Sequence, residues 1–506
     1  MDYKQAREYL AQTLQFGSKL GLERMNKLME LLGNPGREIT YYHVAGTNGK
    51  GSVATMVSNC LAAGGHKVGI YTSPYIERFA ERIRVLDGRN GLLAFYENES
   101  HGEIPDVDFA ICMTQIKPCV DLMLSLGMEH PTEFELVTAV AFIYFANTNC
   151  DMVVLETGLG GRLDSTNVIS NPKKCIITAI GYDHMDRLGN TIGEIAYEKA
   201  GIIKSGSQVV LYDPNEYSSP IEADIIFSVI KKQCILQKVK CLSVVTSNQI
   251  HMKSYCIEGQ TFYFNSNSNN NMDLTNGIDK IEEYGDSRNK DIVLSVDEKN
   301  VHLKPDGEFE FFTTLLGVYQ PMNCAIAIET CKDIVDMDSI KLGIKLTKWP
   351  ARMELVKKSS PLAFLDGGHN MQGAIALKDT LEKLQEGHAI VFLCGVLQDK
   401  EYEKMLSVIL SSSQYAVEAV FCTMPDNPRA LIASNLAKSV SEILDNLPQS
   451  SYNRLATVIF DNDVKVMIDK ALQFAIEKDA TFVAFGSLYM AGEIRQRFRH
   501  DWNKEA

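Results

Sequence analysis

A glycine-rich turn between an apolar strand and a helix constrains the fold of this chain more than any other feature. The turn lies within HVAGTNGKGS at residues 43–52, after the apolar run 40–45 and before a helix that begins near Ser52. The apolar positions of that helix recur at helical spacing: Val53, Met56, Val57, Cys60 and Leu61. Gly64 and Gly65 end the helix, and residues 67–71 read as the next strand. This order predicts a βαβ unit and therefore an α/β fold.

The composition of the turn is typical of a phosphate-binding loop. Glycines at positions 46, 49 and 51 let backbone N–H groups approach an anion without interference from Cβ atoms. Lys50 adds a positive charge where the N-terminus of the helix is already positive. The spacing differs from the common G-x-x-x-x-G-K-[ST] loop, because Val44 stands where the first glycine should be. We therefore predict a shorter loop that holds a nucleoside triphosphate; the alternative is a tight turn without a ligand.

Length, cysteine content and charge limit the class of protein. A chain of 506 residues is too long for one ordinary core and predicts two domains. The 12 cysteines contain no C-x-x-C pair, which favours buried reduced thiols and a cytoplasmic location over disulfides or a metal cluster. The formal net charge of −14 argues against broad nucleic-acid binding. No stretch approaches membrane-spanning length, so we expect neither secretion nor membrane insertion.

Strands alternate with helical segments along most of the chain, as in doubly wound parallel sheets. The first series of predicted strands is 40–45, 67–71, 152–155, 176–180 and 209–212, with short alternating strands between Cys234 and Phe264. The second series is 362–365, 391–396, 417–423, 457–460 and 481–485.

We therefore predict an α/β protein of two doubly wound domains. The first is an N-terminal P-loop-type ATPase domain over residues 1–315, and the second is a smaller Rossmann-like domain over residues 316–506. An insertion is expected near 265–300, because residues 265–290 are rich in Asn, acidic and poor in apolar side chains.

Several polar residues follow predicted strands at the sheet edge where ligands gather in such folds. Glu156 ends a buried apolar strand, and a carboxylate there can hold Mg²⁺ against nucleotide phosphates. Asp183 and His184 follow the next strand. The alternatives are that Glu156 is an ordinary strand-end acid and that His184 only caps or packs.

Three further candidates belong to the predicted second domain and can act only if that domain closes over the phosphate loop. Arg352 suits a phosphate because its guanidinium is forked, while Asp366 and His369, in LDGGHN, suit ribose, carboxylate or amine contacts. Taken singly, these are ordinary polar loop residues.

A series of motifs is distributed over nearly the whole chain. They are GLERM at 21–25, HVAGTNGKGS at 43–52, YTSP at 71–74, ETGLGGRLDSTNV at 156–168, YDHMDRLGNTIGEIAYEKAGIIK at 182–204, ARME at 351–354, DGGHN at 366–370, GVLQDK at 395–400 and GSLY at 486–489. Together they resemble the folylpolyglutamate synthase and dihydrofolate synthase family, within the Mur ligase superfamily.

The resemblance implies an ATP-dependent ligase that forms amide bonds. ATP would phosphorylate the terminal carboxylate of a reduced folate, or of dihydropteroate, and the amine of L-glutamate would displace phosphate. ATP would be bound by Thr47, Asn48, Gly49, Lys50, Gly51, Ser52, Asn323, Arg352 and Asp366. Mg²⁺ would be held by Ser52, Ser73, Glu156, His184 and Lys199. His369 and Ser487 would face the incoming glutamate, Lys199, Asp366 and His369 would serve catalysis, and the protein would be a monomer.

Lys199, in EKAGI, matches a lysine that the family uses as a carbamate. A lysine desolvated enough to be neutral can add CO₂, and the resulting anion can help to bind a second Mg²⁺. The alternative is an ordinary helical lysine paired with Glu194 or Glu198.

The chain also departs from the family pattern near the expected pteridine site. Tyr75 replaces a histidine, Glu133 stands where an aromatic residue is frequent, and the stretch 89–108 is longer than expected. One alternative function is a cell-wall amino-acid ligase with the same ATP machinery, which should lack the motif run 156–204. Another is a nucleotide-dependent switch or transport ATPase, which should carry a standard P-loop and no second domain with DGGHN.

Overall fold

The computed structural model describes residues 1–17, 19–266, 271–273 and 308–505, and it contains two large sheets and one small sheet. The strands are β1 Thr40–Ala45, β2 Lys67–Tyr71, β3 Ile83–Asp87, β4 Met152–Glu156, β5 Pro172–Ile177, β6 Gln208–Tyr212, β7 Cys241–Val245, β8 Ile250–Cys256, β9 Gly259–Asn265, β10 Asn271–Asp273, β11 Glu308–Thr313, β12 Glu354–Lys357, β13 Ala363–Asp366, β14 Ala389–Cys394, β15 Ala416–Cys422, β16 Thr457–Phe460 and β17 Thr481–Phe485. The α-helices are α1 Tyr3–Gln12, α2 Glu23–Leu31, α3 Lys50–Ala63, α4 Gly88–Glu97, α5 Asp106–Ser125, α6 Glu133–Asn147, α7 Met185–Leu188, α8 Ile192–Ala200, α9 Pro220–Leu236, α10 Gln320–Cys331, α11 Met337–Lys345, α12 Met371–Leu384, α13 Tyr402–Leu410, α14 Ala433–Asn446, α15 Val464–Glu477 and α16 Ala491–Glu505.

The first sheet has the strand order β10-β7-β6-β5-β1-β4-β2-β3. Strand β1 lies in its interior between β4 and β5, and both pairings are parallel. The edge strands β3 and β10 are antiparallel to β2 and β7. The predicted parallel sheet is therefore correct for the interior and wrong for the edges. Strand β3 returns directly beside β2 without a crossover helix, and such a return gives an antiparallel pair.

Helix α3, which follows the glycine-rich turn, is buried on all sides. The first sheet covers one face, and α10 and α11 cover the other. This double cover explains why α3 has no exposed polar face, since even its polar side chains Ser52, Thr55, Ser58 and Asn59 are buried. Helices α10 and α11 follow the predicted domain boundary at 315/316, and yet α10 packs on the first sheet and α11 packs on α3. The division into domains stays a prediction, and this packing favours, as our proposal, a boundary after α11.

The second large sheet has the order β12-β13-β17-β14-β15-β16, with β12 antiparallel at one edge and the other neighbours parallel. Apolar cores cover its two faces, one with α12, α13 and α14 and the other with α15 and α16. Strands β8, β9 and β11 form the separate antiparallel sheet. The chain thus has the α/β fold with two sheet-containing domains that the sequence predicts.

Most predicted strands are confirmed within two residues of the observed ends, but three local predictions are wrong. Strand β5 ends at Ile177 rather than Ile180, because the carbonyl of Ala179 accepts the N–H groups of Thr47 and Asn48 instead of continuing the sheet. Cys234 lies in helix α9 and not in a strand. Strands β3, β10, β11 and β12 are absent from the predicted set.

The predicted insertion near 265–300 and its Asn-rich segment lie outside the described residues, apart from 265–266 and β10. None of the helices in the described part of the chain is long and apolar enough to cross a membrane. All 12 cysteines are free, and most of them are buried, as the sequence predicts.

Candidate active site

A cavity of about 490 Å³ lies between the two large sheets, at the carboxyl ends of strands from both domains. It is lined by every predicted site residue except Ser487: Thr47, Asn48, Gly49, Lys50, Gly51, Ser52, Ser73, Glu156, His184, Lys199, Asn323, Arg352, Asp366 and His369. Residues that are far apart in the sequence therefore meet at one site, such as Asn48 and Gln372, which are 324 positions apart. The second domain closes over the phosphate loop in the structure, as the predicted roles of Arg352, Asp366 and His369 require.

The three glycines of the phosphate loop are packed against protein groups. A Cβ atom on Gly46 would lie 1.9 Å from Thr178 Oγ1, and one on Gly51 would lie 2.2 Å from Trp349 Cζ2. A Cβ atom on Gly49 would lie 2.8 Å from Asn323 Oδ1, and φ at this residue is +88°. The absent side chains of these glycines therefore also let the loop pack closely on its neighbours, because a Cβ atom at each position would clash.

Hydrogen bonds to other protein groups hold the side chains of the loop in place. Thr47 Oγ1 donates to the carbonyl of Gly181 and accepts the N–H of the same residue, both at 2.9 Å. Asn48 donates to Gln372 Oε1 at 2.7 Å and accepts from Asn370 Nδ2 at 3.1 Å. Lys50 Nζ donates to the carbonyl of Thr47 at 3.1 Å. The loop of the first domain is therefore tied to the second domain through Asn48.

Glu156 ends β4 with a buried carboxylate that accepts the N–H of Ser73 at 3.1 Å. Burial raises the pKa of Glu156 to about 7, although Lys50 and the Ser73 N–H oppose this shift. A cation close to this carboxylate would favour its ionised form. Glu156 thus has the position and the electrostatic setting of a metal ligand, with the Ser73 residue beside it.

Lys199 lies near the end of α8 and is 3 % exposed. Its Nζ donates to the carbonyl of Gly46 at 2.9 Å. Burial, together with the nearby charge of Lys50, lowers the pKa of Lys199 to about 7. A substantial neutral fraction near pH 7 is the condition that addition of CO₂ requires.

Asp183 is the centre of a charged group that joins the two domains. Its Oδ1 accepts from Lys400 Nζ at 2.7 Å, and its Oδ2 lies 3.8 Å from His184 Nε2 and 3.9 Å from His369 Nε2. Burial disfavours the ionised carboxylate, but His184, Lys400 and His369 outweigh burial and lower the pKa of Asp183. Asp183 therefore remains an anion that faces one lysine and two imidazoles.

The contact of His369 with the backbone defines its tautomer. Nδ1 lies 3.0 Å from the carbonyl oxygen of Gly367, which can only accept, so Nδ1 carries the proton. Nε2 is consequently unprotonated, and burial lowers the pKa of His369 to about 4. The free lone pair of Nε2 lies at the cavity, where it can accept a hydrogen bond or a proton.

Arg352 is presented by an unusual backbone. The residues before and after it, Ala351 and Met353, have φ values of +53° and +48°. Asp366 supports this backbone, because its two carboxylate oxygens accept the N–H groups of Met353 at 2.8 Å and Gly368 at 2.7 Å. Burial raises the pKa of Asp366, and Arg352 opposes the shift. Asp366 thus shapes the segment that carries Arg352.

Asn323 and Ser487 complete the predicted set. Asn323 lies at the start of α10, donates to Gln320 Oε1 at 3.0 Å and faces Gly49. Ser487 is buried after β17, where its hydroxyl accepts the N–H of Tyr489 at 3.2 Å. Leu488, and not Ser487, lines the cavity.

Sequence reasoning missed the side chains that connect the domains at this site. Lys400, Asn370 and Gln372 contact Asp183 and Asn48, and Trp349 packs on Gly51. Lys400 and Asn370 fall within the motifs GVLQDK and DGGHN, so the motifs gave a signal, but no spacing could show their partners.

The departures near the expected pteridine site also have defined contacts. Tyr75 is 44 % exposed, and its ring meets that of Phe79 edge to face at 5.8 Å. Glu133 pairs with Arg82 at 2.8 Å. The carboxylate thus neutralises a guanidinium that is itself almost buried.

The described residues contain no group of three or more His, Cys, Asp and Glu side chains that could hold a metal. The predicted Mg²⁺ ligands are not such a group, because they combine Glu156 and His184 with two hydroxyls and Lys199. Mg²⁺ is usually held by one or two carboxylates together with water and substrate phosphates, and a buried Glu156 at the phosphate loop fits that pattern.

Known proteins resemble this chain over almost its whole length. A dihydrofolate synthase/folylpolyglutamate synthase of Bacillus subtilis (strain 168) is 32% identical over 520 aligned positions, which cover 98% of this chain and 99% of the relative. This chain belongs to the folylpolyglutamate synthase and dihydrofolate synthase family. Residues 351–498 also match the family described as "Dihydrofolate synthetase, C-terminal domain". A dihydrofolate synthetase of Saccharomyces cerevisiae is 28% identical and covers 94% of this chain and 97% of its own.

Solved structures of the family share the fold. The folylpolyglutamate synthase of Mycobacterium tuberculosis complexed with ADP and AMPPCP has a TM-score of 0.75 and 26% identity, and the match covers 98% of this chain and 99% of that chain. The folylpolyglutamate synthase of Thermotoga maritima has a TM-score of 0.72 and 27% identity over 99% of this chain and 97% of its own. The two-domain architecture around the cavity is therefore that of the family.

Proposed function

We propose that this protein uses ATP to join L-glutamate to the terminal carboxylate of a reduced folate, with the conversion of dihydropteroate to dihydrofolate as a second activity. The observation that carries the proposal is the end-to-end similarity to named family members, including the Bacillus subtilis enzyme. The cavity supports it, because the phosphate loop of one domain faces Arg352 and His369 of the other.

The reaction proceeds in two steps. In the first, an oxygen of the acceptor carboxylate attacks the γ-phosphorus of ATP, the bond to ADP breaks, and an acyl phosphate forms. In the second, the amine of glutamate attacks the acyl carbon, the amide bond forms, and inorganic phosphate leaves with the oxygen that the acceptor supplied. One proton is lost from the amine. Because phosphoryl transfer depends on positioning and charge, Lys50, the loop N–H groups and Arg352 are the proposed contacts to the nucleotide phosphates.

The remaining nucleotide contacts are proposed from the same loop and from the second domain. Thr47, Asn48, Gly49, Gly51, Ser52, Asn323 and Asp366 lie along the same cavity. The side chains of Thr47, Asn48 and Asp366 already make the hydrogen bonds described above, and the N–H groups of Thr47 and Asn48 donate to the carbonyl of Ala179. We therefore propose that Thr47 and Asn48 contribute by fixing the shape of the loop. Asp366 would contribute by holding the Arg352 segment.

For Mg²⁺, we propose Glu156 and His184 as ligands, with Ser52, Ser73 and Lys199 completing the site. Bound there, the ion would neutralise charge on the nucleotide phosphates. Lys199 is proposed to act as a carbamate, formed when its neutral amine adds CO₂ and releases one proton. The lowered pKa of Lys199 supports this chemistry.

His369 is proposed to face the glutamate amine, because its Nε2 is free to accept a proton. Ser487 is proposed to lie near the glutamate, although its hydroxyl does not line the cavity. We further propose a cytoplasmic monomer that acts on small molecules and on neither nucleic acid nor membranes. The scattered, unpaired cysteines agree with a reducing compartment.

The test is ADP release combined with mass detection of products. Purified protein receives Mg-ATP and L-glutamate with tetrahydrofolate, with dihydropteroate, or with neither. We expect a glutamate-dependent increase in mass with tetrahydrofolate and also with dihydropteroate. ATP consumption without a glutamate adduct of either acceptor would overturn the proposal.

A further inference from the structure

A buried group of charges connects the two domains away from the reacting atoms. Arg495, on helix α16 of the second domain, has a side chain that is 1 % exposed. Its guanidinium donates to carboxylates on three elements: to Glu77 of the first domain, to Glu99 Oε2 of the first domain at 2.7 Å and to Glu354 Oε1 of the second domain at 3.0 Å. Each nitrogen of the guanidinium thus has its own carboxylate.

The first-domain end of this group leads to Ser73. Glu77 lies four residues after Ser73, and its side chain is 2 % exposed. The intervening turn is rigid because Glu81 accepts the N–H groups of Ile76 at 2.8 Å and Arg78 at 2.9 Å. Glu77 is therefore connected by a short hydrogen-bonded turn to Ser73, whose N–H binds Glu156.

The second-domain end leads to Arg352. Glu354, which binds Arg495 through Oε1, accepts the N–H of Ala351 at 2.9 Å through Oε2. Ala351 precedes Arg352 and has the positive φ already described. Glu354 thus binds the N–H of Ala351, before Arg352, and Asp366 binds the N–H of Met353, after it.

The backbone of helix α16 packs closely on the turn that follows Ser73. A Cβ atom on Gly492, in the first turn of α16, would lie 2.9 Å from the carbonyl oxygen of Ile76. Arg499, one turn after Arg495, also binds Glu77 at 2.5 Å. Helix α16 is therefore fixed against the turn that follows Ser73.

We propose that Arg495 is a positioning residue that holds the Ser73 turn of the first domain in register with Arg352 of the second. Its effect on catalysis rests on the proposed function, because Ser73 and Arg352 are assigned there to the metal and the nucleotide. Arg495 does not touch a substrate; it acts through Glu77 and Glu354. We expect that a Lys at this position cannot replace Arg495, because an ammonium lacks the planar guanidinium that donates to three carboxylates at once.

The test uses full-length protein with Arg495→Lys, Glu77→Gln, Glu354→Gln and the double variant Glu77→Gln/Arg495→Lys. The matched control is Arg497→Lys on the same helix, because Arg497 binds Asp469 within the second domain and both side chains are largely exposed. Thermal unfolding is measured first, and kinetics are then measured well below each midpoint, so that partial unfolding does not contribute.

We expect kcat to fall by about 10- to 100-fold in each single variant, with a smaller change in KM for ATP. The double variant should lose no more than the worse single variant, because both changes remove the same contact. Arg497→Lys should match the wild type. Folded variants with wild-type kcat and KM, or losses that multiply in the double variant, would overturn the proposal.

A second measurement separates this proposal from the proposed function. Trp349 packs on Gly51 between the domains, so in a Trp502→Phe background its emission reports their contact. We expect Arg495→Lys to shift the emission to longer wavelength without any ligand. If the wild type shows no glutamate-dependent turnover, the proposed function fails. The emission shift then tests the positioning role of Arg495 by itself: its presence supports that role, and its absence overturns it. Glu354→Gln gives the same comparison if Arg495→Lys does not fold.

Discussion

Lys50 is the cation of the phosphate loop, and its contacts are entirely local. Its Nζ donates to the carbonyl of Thr47 and has no carboxylate partner among the described residues. The positive charge is therefore available to a bound anion. We expect Lys50→Ala to lower kcat by at least about 100-fold with little change in the unfolding midpoint. ADP release and thermal unfolding measure the two quantities, and near-normal turnover would remove the loop from the mechanism.

A second prediction about a single residue concerns the carbamate on Lys199, whose pKa burial lowers to about 7. The amine is protonated below that pH and neutral above it, and only the neutral form adds CO₂. With ¹³C-bicarbonate, we expect a carbamate resonance that grows as the pH rises through about 7. Lys199→Arg should lack it. No Lys199-dependent resonance from about pH 6 to about pH 9 would exclude the carbamate.

Individual residues differ in how far the sequence could predict them. Glu156 and Lys50 were predictable because strand ends and glycine-rich turns have fixed places in this fold. The contacts of Asn48 with Asn370 were not, because the two residues are separated by 322 positions and no periodicity connects them. The support that Asp366 gives to Met353 was missed although the two residues are only 13 positions apart, because no periodicity connects a strand end with the turn before it.

At the scale of elements, packing determines how the same substitution affects stability at two helical glycines. Gly51 and Gly193 both lie inside helices, α3 and α8. A Cβ on Gly51 would lie 2.2 Å from Trp349 Cζ2, whereas a Cβ on Gly193 would meet only the side chain of Ile225 at 3.2 Å. The same substitution should therefore have opposite signs at the two positions.

We expect Gly51→Ala to lower the free energy of unfolding by about 1–3 kcal/mol, because Trp349 must move. Gly193→Ala should be neutral or should raise it by up to about 1 kcal/mol, since Ala is the better helix former. Urea unfolding measures both values. Equal effects at the two positions would contradict the packing of Trp349 on α3.

Several strands were predictable because a short apolar run stands between helical segments. Strands 40–45, 67–71, 457–460 and 481–485 match β1, β2, β16 and β17 at both ends. Strand β3 was missed because a five-residue edge strand is defined by its pairing with β2 and has little pattern of its own. The early end of β5 depends on the hydrogen bonds of Ala179 with the phosphate loop.

At the scale of the whole molecule, the two domains meet through polar contacts on several sides of the cavity: Asn48 with Asn370, Asp183 with Lys400, and Glu77 with Arg495. Motifs predicted that both domains contribute to one site. They could not predict the relative placement of the domains, because it depends on these long-range pairs.

The Asp183–Lys400 pair predicts a dependence of stability on pH. The folded pKa of Asp183 lies below its ordinary value of 3.8, so the pair stabilises the protein fully above that pH and loses this effect as the pH falls through the folded pKa. We expect Lys400→Met to lower the free energy of unfolding by roughly 2–3 kcal/mol at neutral pH and by less below about pH 4. Thermal unfolding across this range measures the difference.

Lys404→Met is the control for this prediction, because Lys404 pairs with Glu401 at the surface and is 68 % exposed. Such a pair contributes little at any pH. If Lys400→Met behaved like Lys404→Met, Asp183 and Lys400 would not hold the domains together.

The most direct test of the central claim is oxygen transfer from the acceptor to phosphate. Tetrahydrofolate labelled with ¹⁸O in its terminal carboxylate is incubated with the protein, ATP and L-glutamate, and the released phosphate is analysed by mass. Ligation through an acyl phosphate predicts one ¹⁸O atom in each phosphate released, together with one new amide bond. Unlabelled phosphate would contradict it, because ATP would then have been hydrolysed by water without activating the carboxylate.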